Sequence, residues 1–168
     1  MNKFLCGFAT PLMLFLLSIL AFFGSGMGPI RSDAKPPAWE TSIMQAVVRG
    51  AVRRSAKGMS APIPATPESI IAGGKLYMAG CAGCHGEPGK PFREDHDHYP
   101  PVPQLPHTIS QYSEPEIAWI IKHGVRMTGM SAYGGFYRED QLWALAAFVH
   151  RINGLSPAEI QGIQPILQ

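Results

Sequence analysis

The sequence predicts an all-α fold in which a few helices are joined by long irregular segments. Several stretches place apolar residues three and four positions apart, and no stretch alternates apolar and polar residues as a half-buried strand would. The 168 residues include 18 glycines and 16 prolines, which favour turns and loops between the helices. This length suits one domain with extensions, and it excludes a TIM barrel or a large two-domain enzyme.

The N-terminal segment, residues 1–34, is predicted to direct export. Lys3 precedes a dense apolar centre, LMLFLLSILAFF, at residues 12–23. A basic start before such a centre is typical of a secretory signal peptide. The segment is also long enough to remain as an uncleaved membrane anchor. The sequence leaves open cleavage after Gly26, cleavage after Ala34, and retention of the anchor.

Residues 35–57 are predicted to form an amphipathic basic helix. Apolar side chains recur at helical spacing, and basic side chains gather near the C-terminal end, where the helix dipole favours cations. The apolar positions are Trp39, Ile43, Met44, Val47, Val48 and Ala51, and the basic ones are Arg49, Arg53, Arg54 and Lys57. We expect the apolar stripe to pack on the main domain, with anionic membrane headgroups as the alternative contact. A Pro-rich linker follows at residues 58–66.

Charge is uneven along the chain, although the formal net charge is only +2. Residues 31–60 carry six basic and two acidic side chains, whereas residues 67–168 carry seven basic and ten acidic ones. A nucleic-acid-binding protein needs a basic face on its folded domain, and the larger part of this chain is mildly acidic. We therefore expect no nucleic acid among its partners.

The main domain is predicted at residues 67–155. Its first helix follows Thr66, has a proline at its first position and runs towards Gly80. Gly73 and Gly74 lie in the middle of this helix, where each glycine costs about 1 kcal/mol relative to alanine. We expect another helix to cross very close to this pair.

Two longer helices follow in the same domain. Residues Glu87 to His107 are predicted to be loop, and a helix with a capping box then runs from Ser113 to Gly124. The last long helix runs from about Glu139 to Ile152, with Gly154 as its stop. Residues 156–168 are predicted to be a C-terminal tail that starts with one short turn.

The most informative motif is Cys81-Ala82-Gly83-Cys84-His85. A Cys-x-x-Cys-His run is the attachment signal of c-type haem, in which both thiols add to the haem vinyl groups and the histidine presents its imidazole to the iron. A thioredoxin-like dithiol would need a βαβ context, which this sequence lacks. A structural zinc site would need four protein ligands. We therefore predict one covalent haem c held by Cys81, Cys84 and His85.

The sixth position of a haem iron decides between electron transfer and catalysis. Met130 follows a glycine in a flexible loop between the last two long helices, and such a loop can bring a thioether over the distal face. We predict Met130 as the distal iron ligand. Met127 is the first rival, and His107 and His123 are further alternatives.

These features resemble the class I c-type cytochromes of the bacterial mono-haem kind, over roughly Thr66 to Leu155. The resemblance implies an all-α fold of few helices around a covalent haem, in which an N-terminal helix crosses a C-terminal helix at small and aromatic residues. Gly73, Gly74 and Tyr77 match one side of such a crossing, and Trp143, Ala147 and Phe148 match the other.

Two details of the family pattern concern the iron ligands. The family usually has proline after the ligand methionine, whereas this chain has Ser131, a difference that would loosen the loop. In the family a proline carbonyl orients the ligand imidazole, and Pro100, Pro101 and Pro103 are the candidates here. Apolar side chains are expected to shield the haem from water; these are Ile117, Ile120, Tyr133, Phe136 and Trp143.

The resemblance implies electron transfer rather than catalysis, with no small-molecule substrate. The expected partners are redox proteins, either a membrane respiratory complex or a dehydrogenase, met on the periplasmic side of the cytoplasmic membrane. A haem subunit fixed within a larger complex is one alternative. The other is a peroxidase-like or gas-reactive haem enzyme with a displaceable methionine, for which Arg126 and His123 would supply the distal polar groups.

A hydrophilic stretch, Glu94 to His98, lies within the long loop. Its two histidines and three acids offer ligands for a second metal ion. Such a stretch is more often a solvated insertion, and we interpret it in that way.

Overall fold

A computed structural model describes residues 2–26, 30–31, 33–62, 64–95, 97–108 and 110–163 of the chain, and of residues 2–8 it describes the backbone only. The chain forms two compact units, residues 1–31 and 32–168.

The described residues of the first unit form one helix, α1, which spans Asn2–Gly24. The apolar centre of the predicted export segment lies within it, and large side chains from Leu12 to Phe23 are exposed. Among the described residues, no helix combines the length and the hydropathy that crossing a membrane requires. Export, cleavage and anchoring therefore stay predictions.

The second unit is helical, and none of its described residues forms a strand. This agrees with the predicted all-α class. The helices are α2 Ala38–Ser55, α3 Pro67–Gly80, α4 Ala82–His85, α5 Glu114–His123, α6 Glu139–Arg151 and α7 Pro157–Ile163. Two short 3₁₀ turns, Leu105–His107 and Ile152–Gly154, complete it.

Local signals set most of the helix ends. The Thr66 hydroxyl accepts a hydrogen bond from the Ser69 amide, which caps the first turn of α3. At the start of α5 the Ser113 amide donates to the Glu116 carboxylate at 2.8 Å, the reciprocal half of a capping box. Gly124 ends α5 at a φ of +67°, a conformation that favours glycine. The predicted limits of α3, α5 and α6 are confirmed to within a few residues.

The predicted close crossing at the glycine pair is also confirmed, and α6 is the helix that crosses. A Cβ atom added at Gly73 would collide with the backbone carbonyl of Ala144. One added at Gly74 would lie 2.8 Å from the Phe148 ring. The rings of Tyr77 and Phe148, both fully buried, lie 5.2 Å apart between centroids at the same contact. Backbone packs on backbone at Gly73 and on side chains at Gly74, and neither position has room for one added methyl group.

We therefore expect Gly73→Ala to lower the free energy of unfolding by about 1–3 kcal/mol or more, because the added methyl forces α3 and α6 apart. The matched control is Gly50→Ala in the interior of α2, where an added Cβ meets nothing within 4 Å. The free energy of unfolding of Gly50→Ala should rise by about 0.5–1 kcal/mol, because alanine has the higher helix propensity. Urea unfolding of the haem-loaded proteins measures both. Equal stabilities for the two variants would contradict the crossing.

The packed core extends beyond the predicted main domain of residues 67–155. Ile163 of α7 is buried against α3, where a Cβ at Gly74 would meet its side chain. Val52 and Ala56 at the end of α2 are buried as well. Apolar side chains of both flanking segments thus cover surface that α3 and α5 would otherwise expose, and the domain limits of residues 67 and 155 stay a prediction.

The expectation that the apolar stripe of α2 packs on the main domain is wrong for its first three turns. Trp39, Ile43 and Val47 are 65%, 55% and 56% exposed. The helix instead buries Val52, which is 2% exposed, on its opposite side. Hydrogen bonds of Thr41 with Tyr99 and of Arg49 with Gln111 hold that side of the helix inward.

Candidate functional site

The Cys-x-x-Cys-His motif forms one tight helical turn directly after α3. Cys81 is both the C-cap of α3 and the N-cap of α4. Its carbonyl accepts hydrogen bonds from the amides of Cys84 at 3.1 Å and His85 at 2.9 Å. The Cys81 side chain is half-buried and that of Cys84 is exposed. Burial, and then the neighbouring Cys84 thiol, raise the pKa of Cys81 to about 11, so it is a neutral thiol at pH 7.

Three side chains from outside the motif hold the carbonyls of this turn. Arg93 donates to the Gly83 carbonyl at 2.7 Å, and Gln104 donates to that of Cys84 at 2.9 Å. The Tyr77 hydroxyl donates to the carbonyl of Gly86 at 2.6 Å. Gln104 is a buried polar side chain, so its hydrogen bond compensates for the loss of water.

Sequence reasoning did not identify Tyr77, Arg93 or Gln104 as residues that support the site. Tyr77 carried a partial signal, because it was expected at the helix crossing. Arg93 and Gln104 lie in the long loop, where no periodicity indicates which side chains turn inward. Their roles depend on how the loop folds back over the motif.

The imidazole of His85 is oriented by a proline carbonyl. The Nδ1–H donates to the carbonyl of Pro103 at 3.0 Å, so Pro103 makes this contact rather than Pro100 or Pro101. With Nδ1 protonated, Nε2 carries the lone pair that a metal ion requires. Two thiols on one helical turn and an imidazole fixed in the ligating tautomer fit a covalently attached haem.

Met130 lies in a loop whose shape depends on glycine and threonine. The Val125 amide donates to the Met130 carbonyl at 3.0 Å, and the Met130 amide donates to the Thr128 hydroxyl at 3.1 Å. A Cβ at Gly124 would lie 2.6 Å from the Met130 carbonyl, so only glycine allows the loop to close at this point. The Met130 side chain is half-buried.

The rival ligands are placed differently. The Met127 side chain is 88% exposed and its backbone has a φ of +60°. His107 uses its Nε2 to donate to the Lys90 carbonyl at 2.9 Å. His123 is exposed and lies against the Trp119 ring at 4.9 Å between centroids. These positions favour Met130.

The apolar surroundings differ in part from expectation. Ile117 is buried and Tyr133 is half-buried, with its ring stacked on Tyr137 at 5.9 Å between centroids. Phe136, however, is 80% exposed. Trp143 lines a cavity of about 420 Å³ beside α3 and α6, and its indole N–H donates to the Glu139 carboxylate. Phe136 is thus a surface residue, whereas Trp143, at 7% exposed, belongs to the buried core cluster.

The acidic and His-containing stretch organises its own loop. The Asp95 carboxylate accepts from the amides of Val102 at 2.7 Å and Asp97 at 3.1 Å, and it also contacts the His98 ring. The Val102 amide and then His98 hold the pKa of Asp95 well below its usual range. His96 lies outside the described residues, and the described residues contain no group of three potential metal ligands. Asp95 thereby fixes the backbone immediately before Pro103.

The comparisons with known proteins bear on this part of the chain. Residues 68–149 match the model of the family described as cytochrome c oxidase, cbb3-type, subunit III. The matched segment begins in α3, ends in α6 and includes the whole motif and Met130. Neither the curated proteins nor the solved structures gave a match to the chain.

Proposed function

Because residues 68–149 form a class I c-type cytochrome domain that binds a covalent c-type haem and serves electron transfer, we propose that this chain is an electron carrier with His/Met iron ligation. Cys81 and Cys84 would form the two thioethers, His85 the proximal ligand and Met130 the distal ligand. The iron of a bound haem c accepts and releases one electron. The hydrogen bond from His85 to Pro103 is the observation that carries this proposal.

The protein residues contribute orientation and rigidity to this function. The Pro103 carbonyl holds the imidazole in one tautomer and one direction, and Arg93, Gln104 and Tyr77 hold the backbone on which it stands. The protein groups around the site then need to move little when the site gains or loses an electron. Such rigidity favours fast electron transfer. A thioether ligand raises the reduction potential relative to a second imidazole.

If His85 and Met130 both bind the haem iron, the iron has no open coordination position for a substrate. This supports an electron carrier rather than an enzyme. Cys84 is exposed, so the thioether side of the site opens to solvent. We propose that electrons enter and leave at this side, through transient contacts with redox partners.

The proposed partners belong to a membrane respiratory complex. The family whose model matches is named for a subunit of a cytochrome c oxidase, which supports a place in or beside such a complex. The basic start and apolar centre of residues 1–34 support export to the periplasmic side. Assembly with an oxidase would appear as co-purification from solubilised membranes, whereas a free shuttle would emerge alone.

Optical spectra of the haem-loaded full chain test the proposed function. The expected result is a low-spin spectrum in both oxidation states, an iron–sulfur charge-transfer band in the red region when oxidised, and no change when carbon monoxide is added to the reduced protein. A high-spin spectrum, or ready binding of carbon monoxide, would instead indicate a gas-reactive or peroxidase-like site.

A further inference from the structure

An unusual surface of the second unit is the outer face of α2, formed by Trp39, Ile43, Val47 and Arg54, with Lys57 in the turn that directly follows the helix. Successive residues of an α-helix are rotated by about 100°, so the four helical residues lie within roughly 80° of one another. Val52, the buried residue of α2, falls on the opposite side of the helix. The helix is therefore amphipathic in an unusual sense, because its longest apolar stripe points away from the core.

Contacts on the inner side fix the rotation of α2 about its axis. The Thr41 hydroxyl is hydrogen-bonded to that of Tyr99 at 2.6 Å, and Arg49 donates to the Gln111 side chain at 3.4 Å. Together with buried Val52, these contacts are distributed along three turns of the helix. The helix cannot turn its outer face inward without breaking all of them.

We propose that the outer face of α2 docks on the surface of an anionic lipid bilayer. Its apolar side chains share one helix face with Arg54, with an indole at the N-terminal end, and the exposed Lys57 follows in the turn just past the C-terminal end. Helices that lie in the membrane interface have this composition, in which apolar side chains enter the acyl boundary and Lys and Arg contact lipid phosphates.

Charge complementarity favours lipid phosphates as the contact. The one acidic side chain within α2, Glu40, is half-buried at the edge of the stripe, so no carboxylate stands in the middle of the outer face. Arg54 and Lys57 are both exposed. A helix face that is apolar over two turns, with Arg54 near its C-terminal end and Lys57 directly after it, matches a surface with phosphates above an apolar layer.

A spin label at residue 43 tests the proposal in the haem-loaded full chain. In a Cys6→Ser background, Ile43→Cys is labelled with a nitroxide, and Gly154→Cys, at an exposed site with open space around its Cβ, gives the control label. Collisions with oxygen and with a water-soluble nickel chelate are measured in phosphatidylcholine vesicles with and without phosphatidylglycerol. With phosphatidylglycerol, the label at residue 43 should gain oxygen collisions and lose nickel collisions several-fold, and the control label should not change.

Charge variants complete the test. The double variant Arg54→Gln, Lys57→Gln should restore collisions between the label at residue 43 and the nickel chelate. The matched double variant Lys75→Gln, Lys90→Gln should leave these collisions low. Equal burial of the label in both vesicle types would overturn the proposal, because insertion of the N-terminal segment alone would produce it. A label at residue 43 that stays exposed to the nickel chelate in both vesicle types would overturn the proposal as well. So would a label that a second copy of the chain shields in the absence of vesicles. The haem spectrum is recorded in parallel, so failure here is distinguishable from failure of the proposed function.

Discussion

The double variant Cys81→Ala, Cys84→Ala is expected to show no haem stain after denaturing electrophoresis, a complete loss relative to the unmodified chain. Denaturation removes any haem held only by His85 and packing, whereas two thioethers survive it. The thiols stand one helical turn apart on a backbone that Arg93 and Gln104 hold in place, so both are presented to one ligand. Staining that persists in the double variant would refute covalent attachment at this motif.

The third cysteine provides the matched control. Cys6 precedes the apolar centre of the predicted export segment and lies outside the motif. Cys6→Ala should therefore keep the full haem stain at unchanged intensity per protein. Loss of stain in this variant as well would indicate that the cysteine changes impair export or maturation rather than attachment itself.

Elements with local signals were predictable from the sequence. A capping threonine with a proline after it marks the start of α3, and a capping box and a glycine with positive φ mark the two ends of α5. These signals involve residues within one turn of each other, so no tertiary information is needed to interpret them. The Cys-x-x-Cys-His spacing is local in the same sense, and it located the centre of the site.

Features that depend on long-range packing were not predictable. The rotation of α2 is set by partners such as Tyr99 and Gln111, about 60 residues away, and an apolar stripe alone does not reveal which side they will contact. Ile163 reaches the core because Gly74 leaves space for its side chain. This contact joins a small and a large residue that lie far apart in the sequence. The choice of Pro103 among three prolines likewise depends on how Asp95 fixes the loop.

The variant Met130→Ala is expected to keep its covalent haem and lose the iron–sulfur charge-transfer band. Alanine has no donor atom, so the site should become high-spin or bind added ligands such as carbon monoxide or imidazole. The loop itself should persist, because its hydrogen bonds use the amide and carbonyl of residue 130 rather than its side chain. Optical spectra, with haem staining as the control for attachment, measure the change.

Met127→Ala is the matched comparison, since it removes an equal side chain from the same loop. The Met127 side chain is 88% exposed, so its thioether projects into solvent. The spectrum of Met127→Ala should therefore match that of the unmodified protein. If the band disappears in Met127→Ala and survives in Met130→Ala, then Met127 is the ligand. The loop must in that case rearrange when haem binds, because the Met127 side chain faces solvent in the present structure.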